Sequence, residues 1–346
     1  MNVVALRTLN HEARPRPSAA QAPAPKIDGR AVRIDIYEDF AEAEPYWRAL
    51  EQPGTLATPY QSYDFLRLWH AHIGAPAGVT PCLVVGFNGE GTPLFLWPFG
   101  RRSFGGLQVV EFLGGKHANF NMALWRRDVA ASIGADKLQA VLARLSAQAD
   151  IVTLTNQPLT WAGTTNPFAL LPQQRSANFG FSGPLVPDFE ALMRARTNSA
   201  SRKKMRKKER ALADYGTVRF ARAETEAEIR HVLDAFFKQK AARMRMQGLP
   251  DVFGAPGVRR FIEAGTTAPT PGGGAVVELY SLSVDDIIVA TIGGIAGNGR
   301  FCAMFNSILG GRYAVESPGE QLLINLVRQC CDRGFDTIDL GIGEAH

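Results

Sequence analysis

Residues 317–341, "SPGEQLLINLVRQCCDRGFDTIDLG", contain the helix and the following strand that decide the fold. The helix is predicted to begin with Ser317 as its N-cap, Pro318 in the first helical position and Glu320 as the carboxylate of a capping box. Arg333 and Gly334 supply a basic last turn and a C-terminal stop. Apolar residues recur between these ends on one helical face: Leu322, Leu323, Leu326, Val327, Cys330 and Cys331.

Gly319 stands in the first turn of this helix, where glycine costs about 1 kcal/mol relative to alanine. Close approach of a ligand to the backbone is one reason to place it there. Free N–H groups and the positive end of the helix dipole make such a start a site for phosphate. A cap with a tolerated glycine is the alternative.

Length and composition predict the broad class of the protein. The chain has 346 residues, 46% of them hydrophobic, which is enough for two domains of ordinary size. Its four cysteines lack the spacing of metal or redox motifs, which favours a reduced cytoplasmic protein without disulfides. No apolar stretch reaches the roughly 18 residues of a membrane span, and the N-terminus lacks the apolar core of a secretory signal.

Positive charge is concentrated in residues 202–210, "RKKMRKKER", within a chain of net charge +5. Such a run binds nucleic acid, an anionic membrane surface or a polyanionic substrate, or it forms a solvated helix face. Because no aromatic residue interleaves it for base stacking, the run does not favour sequence-specific binding to nucleic acid. The pattern favours a solvated or phosphate-contacting helix.

The order of predicted elements occurs twice along the chain. Residues 31–185 give a strand, two helices, three strands, a helix and a strand, and residues 216–346 repeat that order. Residues 186–215 are predicted to be a basic helical linker, and residues 1–30, rich in Ala, Pro and Arg, to be disordered. A meander followed by a helix and one more strand predicts an α/β fold with a mixed, largely antiparallel sheet flanked by helices.

Four stretches carry a resemblance to a known family: "ASRKKMRKKERALADYG", "KQKAARMRMQGLP", "YAVESPGEQLL" and "GFDTIDLGIGEAH". In this order they resemble the C-terminal half of the acetyltransferases of the cellulose-biosynthesis (CelD or BcsL) family. That family lies in the GNAT superfamily and is related to the FemAB aminoacyltransferases. The N-terminal "TPYQSYDFLRLWHAHIG" is similar to the family's early helix.

The resemblance implies two tandem GNAT-like domains and a bacterial acyltransferase. The acyl group would pass from acetyl-CoA or another acyl-CoA to an amine or hydroxyl of an envelope sugar or polysaccharide precursor, without a metal. The cleft between the halves would hold this small-molecule or saccharide acceptor.

The resemblance also implies that the CoA pyrophosphate binds at the helix start. The corresponding residues are Ser317, Pro318, Gly319, Glu320 and Gln321. The usual Q/R-x-x-G-x-G/A pattern is replaced here by "ESPGEQ", with one glycine and a carboxylate. Aminoacyl-tRNA as donor, in the FemAB manner, is therefore an open alternative, and a non-catalytic anion-binding or scaffold module is another.

Acyl transfer needs a base for the acceptor's proton and sometimes an acid for the leaving thiolate. Asp339 matches the family's Asp-Leu-Gly at the end of a strand and is the candidate base; its alternative is a carboxylate that accepts backbone N–H groups. Tyr313 stands just ahead of the donor helix and could protonate a thiolate, or it could be a packed aromatic side chain.

Basic and polar side chains supply candidate substrate contacts, each with a solvated or structural alternative. Lys240 and Arg243 share a helical face and match basic positions of the family, and Lys203 and Arg206 come from the basic run. A loop in the first copy adds His117, Asn119 and Asn121 for the acceptor cleft, where a satisfied turn network is the alternative. His70 and His72 do not share a helical face, so no metal site is predicted.

Overall fold

The computed structural model describes residues 2–5, 26–27, 30–31 and 33–343. The chain divides into two compact units, Met1–Phe179 and Gly180–His346. Of the segment 1–30, predicted to be disordered, residues 2–5, 26–27 and 30 lie in short strands. The rest of that segment lies outside the described residues, so its disorder stays a prediction.

The first unit is built on a mixed sheet with helices packed against it. Its strands are β1 (Asn2–Ala5), β2 (Lys26–Ile27), β3 (Arg30–Ala31), β4 (Arg33–Tyr37), β5 (Thr55–Leu56), β6 (Thr80–Phe87), β7 (Pro93–Phe104), β8 (Leu107–Phe112), β9 (Leu124–Arg126), β10 (Ile151–Leu154), β11 (Thr160–Trp161) and β12 (Thr164–Thr165). Its α-helices are α1 (Phe40–Leu50), α2 (Tyr63–Trp69), α3 (Arg127–Ser132) and α4 (Ala135–Ala143). The main path of the sheet has the order β1-β10-β8-β7-β6-β4, and β5 and β9 pair beside it.

The second unit is built on a six-stranded sheet. Its strands are β13 (Phe179–Pro184), β14 (Val218–Arg222), β15 (Glu278–Val284), β16 (Ile287–Gly297), β17 (Arg300–Ile308) and β18 (Thr337–Gly343). Its helices are α5 (Phe189–Arg196), α6 (Ser199–Ala213), α7 (Glu226–Met246), α8 (Pro256–Thr267) and α9 (Pro318–Asp332). The strand order is β13-β18-β17-β16-β15-β14. None of the described helices is both long and apolar enough to cross a membrane.

The two sheets share one strand order. In the first unit β8 and β10 form the parallel pair, and in the second unit β17 and β18 do so, while the meanders β4-β6-β7-β8 and β14-β15-β16-β17 are antiparallel. Each parallel pair is joined by a connection that contains a helix, α4 or α9, as such pairs require. The predicted mixed α/β fold and the repeated element order are confirmed.

A repeat of residues accompanies the repeat of strands. "LGGKHA" (residues 113–118) directly follows β8, and "LGGRYA" (residues 309–314) directly follows β17. Four of the six residues are identical, and the other two pair a lysine with an arginine and a histidine with a tyrosine. Both copies lie at the carboxyl end of the strand that begins the parallel pair.

Residues 186–215, predicted as a linker, form α5 and α6 inside the second unit. Phe189, Leu192 and Leu212 are buried in the same core as Leu322 and Leu326 of α9. Local charge density suggested a solvated connection, but one stripe of each helix carries apolar side chains that need a core. β13, which precedes these helices, was not predicted from the sequence.

The core of each unit lies against its sheet. In the first unit Trp97 packs on Phe95, Phe99 and Phe168 with ring centroids 5.2, 5.7 and 5.0 Å apart. In the second unit α9 covers one face of the sheet with the apolar side chains predicted for it. Phe236 of α7 stacks on the Phe305 ring of β17 at 4.6 Å. Helices therefore flank the sheet of the second unit, as predicted.

A buried ion cluster fastens the last turn of α9 to β15. Both guanidinium nitrogens of Arg333 donate to the Glu278 carboxylate, at 2.6 and 2.8 Å, and the Tyr280 hydroxyl donates to the same carboxylate at 2.7 Å. Burial acts to raise the pKa of Glu278, but the hydrogen bonds from Arg333 and Tyr280 and the charges of Arg333 and Arg222 outweigh it and lower that pKa. The carboxylate is therefore held in its charged form.

We expect Arg333→Met to lower the free energy of unfolding by about 2–4 kcal/mol, because the buried Glu278 then loses its two-nitrogen partner and keeps as cation only Arg222, at 3.4 Å. Since the folded-state pKa of Glu278 is lowered, its stabilisation is present above the unfolded pKa and is lost as the pH falls through the folded value. The difference between wild type and variant should therefore shrink below about pH 4.3. Urea unfolding at neutral and acid pH measures it.

Arg230→Met is the matched control, because Arg230 pairs with Glu226 on the exposed surface of α7. It should change the free energy of unfolding by less than about 0.5 kcal/mol. Equal losses in the two variants would contradict a special role for the buried cluster.

Candidate functional site

The parallel strands of the second unit separate after a short contact. β17 and β18 pair at Arg300 with Thr337, Phe301 with Ile338 and Cys302 with Asp339. β17 then runs on to Ile308 and β18 to Gly343 with no further pairing between them in the part of the chain described. Residues 304–308 thus present a strand edge with no described pairing to β18, and ligands of α/β sheets bind at such carboxyl ends.

Two backbone irregularities accompany the separation. The register of β17 against β16 shifts between Gly293 and Gly294, which leaves Met304 as an extra residue in β17. In β18, Gly341 has φ +88°, a left-handed conformation that favours glycine. The Asp339 carboxylate accepts a hydrogen bond from the Gly341 N–H at 3.0 Å and so stabilises this bend.

Asp339, the candidate base, is 1% exposed, and its two oxygens already have partners. One accepts from Gly341 and the other accepts from a guanidinium nitrogen of Arg300 at 3.1 Å. Burial raises the pKa of Asp339, opposed by the Gly341 N–H and by Arg300. These contacts favour the structural alternative for Asp339, and its catalytic role stays a prediction.

The start of α9 lies beside the end of β17, and Lys208 of α6 binds it. The Lys208 ammonium donates to Ser317 Oγ at 2.5 Å and to a Glu320 carboxylate oxygen at 3.1 Å. Ser317 is the N-cap, as predicted, but the predicted capping box is wrong. Its φ of +52° is left-handed, and its side chain makes no capping hydrogen bond.

Gly319 has a packing reason that the sequence did not show. A Cβ built on Gly319 would lie 2.5 Å from Cδ1 of Ile308, at the end of β17. The helix start therefore approaches the strand more closely than any larger residue allows. Phosphate binding is not needed to explain this glycine, although it is compatible with it.

Gln321 and Pro318 complete the helix start from the inside. Gln321 is buried and donates to the backbone carbonyls of Lys208 and Glu316, at 3.2 and 2.9 Å. Pro318 is buried and has no N–H to offer a ligand. Of the five residues predicted to bind the donor, Gln321 therefore links α6 to α9, and Pro318 lies buried at the helix start.

Sequence reasoning included Lys208 in the basic run but singled out Lys203 and Arg206 instead. Lys208 lies with Met205 and Leu212 on the inward stripe of α6, at spacings of three and four residues, whereas Lys203 and Arg206 are exposed on the outer face. This spacing was the available signal, because a lysine on an apolar stripe needs a polar partner.

Tyr313, the candidate acid, is buried in the loop before α9. Its hydroxyl accepts from the Arg312 guanidinium at 2.6 Å, and its ring packs edge-on against Tyr215 at 5.2 Å. Tyr215 in turn donates to the Arg312 carbonyl at 3.4 Å. These contacts fit a packed loop aromatic, and the acid role of Tyr313 stays a prediction.

The two basic residues singled out on α7, Lys240 and Arg243, differ in their burial. Lys240 is half-buried, and its ammonium donates to the backbone carbonyl of Asn306 at 3.2 Å. Arg243, one turn further along, is exposed. Lys240 thus reaches the open edge of β17, whereas Arg243 lies on the outer surface.

The polar residues of the first-unit loop are held in local contacts. His117 Nδ1 accepts from Trp69 Nε1 at 3.2 Å, Asn119 donates to the Tyr60 hydroxyl at 3.0 Å, and Asn121 donates to the Thr155 carbonyl at 3.2 Å. Burial, then the charge of Lys116, lower the pKa of His117 to about 4. These contacts favour the turn-network alternative for this loop.

The two repeated loops differ in what surrounds their glycines. In the first unit a Cβ on Gly114 would meet Leu66 at 3.3 Å, and one on Gly115 would meet Trp69 at 3.3 Å. In the second unit no described atom lies within 4 Å of a Cβ on Gly310 or Gly311. Side chains of α2 fill the first loop, whereas the second is accessible.

The arrangement of the described residues does not favour metal or thiol chemistry. Among them, no three His, Cys, Asp or Glu side chains come together in a way that could hold a metal ion. His70 binds the Val79 carbonyl at 2.9 Å. All four cysteines are free and buried, and burial raises the pKa of Cys82 and Cys330 to about 12.

The part of the chain that contains the start of α9 and the edge of β17 matches a family model. Residues 199–346 match the model of the acetyltransferase (GNAT) domain. The second unit thus contains a GNAT-type acetyltransferase domain, and the prediction of a GNAT-type acyltransferase enzyme is confirmed. The finer assignment to the CelD or BcsL family stays a prediction. No curated protein matches the chain significantly.

Among solved structures, FemX is similar in fold. FemX is 8% identical, with 91% of this chain and 90% of FemX covered, at a TM-score of 0.57. L-PGS from Bacillus licheniformis is 10% identical over 82% of this chain and 76% of its own, at 0.40. N-myristoyltransferase from Saccharomyces cerevisiae, with bound myristoyl-CoA, is 12% identical over 94% and 76%, also at 0.40.

We expect Gly319→Ala to lower the free energy of unfolding by up to about 2 kcal/mol, because overpacking of its methyl group against Ile308 costs about 1–3 kcal/mol and the better helix propensity of alanine returns about 1 kcal/mol. Adding Ile308→Ala should restore part of that loss. Gly310→Ala, where the same methyl group meets no described atom, is the control and should change stability by less than about 0.5 kcal/mol. Urea unfolding of the four proteins decides, and no rescue by Ile308→Ala would contradict the packing explanation.

Proposed function

We propose that this chain is a cytoplasmic acyltransferase that moves an acyl group from an acyl-CoA to an amine or hydroxyl, with the donor bound by the second unit. The observation that carries the proposal is the open edge of β17 beyond Ala303, next to the start of α9, inside a GNAT acetyltransferase domain. A thioester laid along this edge would meet unpaired backbone groups. Backbone N–H groups of that kind stabilise the oxyanion of acyl transfer.

The donor's pyrophosphate would lie at the start of α9. The helix dipole and the Lys208 ammonium both favour an anion there. Glu320 forms an ion pair with Lys208, so its carboxylate would have to move away when a phosphate binds. The open loop at Gly310 and Gly311 leaves room for the nucleotide part of the donor.

The acceptor in this proposal is a small molecule or saccharide, an envelope sugar or polysaccharide precursor, as in the CelD or BcsL family that the sequence resembles. No metal takes part. The chemistry requires only a bound donor, a base for the acceptor's proton and donors for the oxyanion.

Calorimetric titration with acetyl-CoA tests the donor site. We expect Lys208→Met to weaken binding about 10- to 100-fold, the worth of a charge-assisted hydrogen bond. Glu320→Gln should strengthen binding several-fold, because it removes the carboxylate that competes for Lys208. The opposite signs separate a binding role from a general loss of structure.

Lys204→Met, on the exposed face of the same helix, is the control and should bind like wild type. Unchanged affinity in Lys208→Met would place the donor elsewhere. If the folded wild type binds no acetyl-CoA, the acyl-CoA proposal fails.

Aminoacyl-tRNA as donor is a second candidate, favoured by the outer face of α6. Five of its cations are exposed: Lys203, Lys204, Arg206, Lys207 and Arg210. A row of this kind contacts phosphates without reading sequence.

Binding of tRNA at several salt concentrations tests this candidate. Replacing Lys203, Arg206 and Lys207 by Gln should reduce the slope of log affinity against log salt by about one for each lost phosphate contact. Acetyl-CoA binding should be unaffected by the same changes. No salt-dependent tRNA binding by the wild type would exclude this donor.

A further inference from the structure

Lys240 occupies an unusual position for a helix lysine, at the open edge of the central strand. Its ammonium nitrogen lies 3.2 Å from the carbonyl oxygen of Asn306, two residues beyond the extra residue Met304. Asn306 belongs to the part of β17 that makes no described pairing with β18. The amine therefore lies where, under the proposed function, donor and acceptor meet.

A buried polar network holds α7 in register with the sheet. Gln239, next to Lys240, is buried and donates to the Ile288 carbonyl at 2.8 Å. It accepts from the Ser307 hydroxyl at 2.7 Å, and Ser307 is hydrogen-bonded to Thr291 at 2.7 Å. Gln239 is thus hydrogen-bonded to both β16 and β17, so α7 cannot slide along the sheet without breaking these bonds. The network therefore places the next residue, Lys240, at the edge of β17.

The surroundings of Lys240 disfavour its charged form. Burial, then the positive charge of Arg243 on the same helix, lower the pKa of Lys240. From the other elements packed on it, the facing groups are the Asn306 carbonyl of β17 and the Phe253 ring, 5.1 Å from the nitrogen. A lysine in such a setting serves as a general base.

We propose that Lys240 is the general base of the acyl transfer, an inference that rests on the proposed function. One N–H of the neutral amine stays on the Asn306 carbonyl, and its lone pair takes the proton of the acceptor's amine or hydroxyl. The acceptor's nitrogen or oxygen forms a bond to the acyl carbon, the carbon–sulfur bond breaks, and CoA leaves as thiolate. The proton on Lys240 then returns to the thiolate or to solvent.

The other candidate base and acid, Asp339 and Tyr313, already have hydrogen-bond partners. Both oxygens of Asp339 bind Arg300 and Gly341, and the Tyr313 hydroxyl binds Arg312. Asp339 is on this view a positioning residue that bends β18 away from β17. Lys240, by contrast, is a titratable side chain with a contact at the open edge itself.

The test compares Lys240→Met and Lys240→Arg with Lys238→Met, an exposed neighbour on the same helix. Acetyl-CoA binding is measured by calorimetry, and acetyl-CoA hydrolysis, with water as acceptor, by thiol release as a function of pH. We expect both Lys240 variants to bind acetyl-CoA like wild type and to lose at least about 100-fold in rate. Wild type and Lys238→Met should gain rate as the pH rises through the pKa of Lys240.

Activity retained by Lys240→Arg would show that a fixed positive charge suffices and would overturn the base role, as would activity in Lys240→Met. If wild type does not bind acetyl-CoA, it is the proposed function that fails, and the inference falls with it.

If hydrolysis is too slow to measure, competitive labelling with acetic anhydride tests the proposal instead. The folded protein is labelled, and peptide mass spectrometry then compares the pH midpoints for labelling of Lys240 and Lys238. A lower midpoint for Lys240 supports the proposal, and equal midpoints overturn it.

Discussion

The brief parallel contact between β17 and β18 is the constraint on which the second unit's site depends. Three residue pairs join the strands, and the hydrogen bond between Asp339 and the Gly341 N–H turns β18 where the pairing ends. Backbone groups left open by this turn need partners, since a buried unpaired group costs free energy. Lys240 supplies one partner at Asn306, and a bound substrate would supply others. The site is a sheet left incomplete over a few residues.

The two units show how one backbone framework acquires different surroundings. Each carries a Leu-Gly-Gly loop at the same point of the same strand order. In the first unit Leu66 and Trp69 of α2 fill the space over the glycines, whereas that space is open over Gly310 and Gly311. The side chains of one helix therefore decide whether the loop is part of a core or accessible to a ligand.

Periodicity in the sequence predicted the fold because its signals are local. The apolar stripe from Leu322 to Cys331 located α9, and the alternating runs located β15 to β17 within a few residues. The site was less predictable because its contacts are distant in sequence. Lys208 meets Ser317 across 109 positions, and Asp339 meets Arg300 across 39. The left-handed conformation of Ser317 also opposes its ordinary capping preference, so the local rule failed there. The paired Leu-Gly-Gly loops, by contrast, were readable from the sequence and would have supported the duplication.

Helix α9 is clamped at both ends, about 22 Å apart for its 15 residues. Gln321 ties its first turn to the end of α6 and to Glu316, and Arg333 ties its last turn to Glu278 on β15. A rod held in this way neither swings nor slides without breaking buried bonds. Under the proposed function, adaptation to donors of different size would therefore be confined to the segment between β17 and α9.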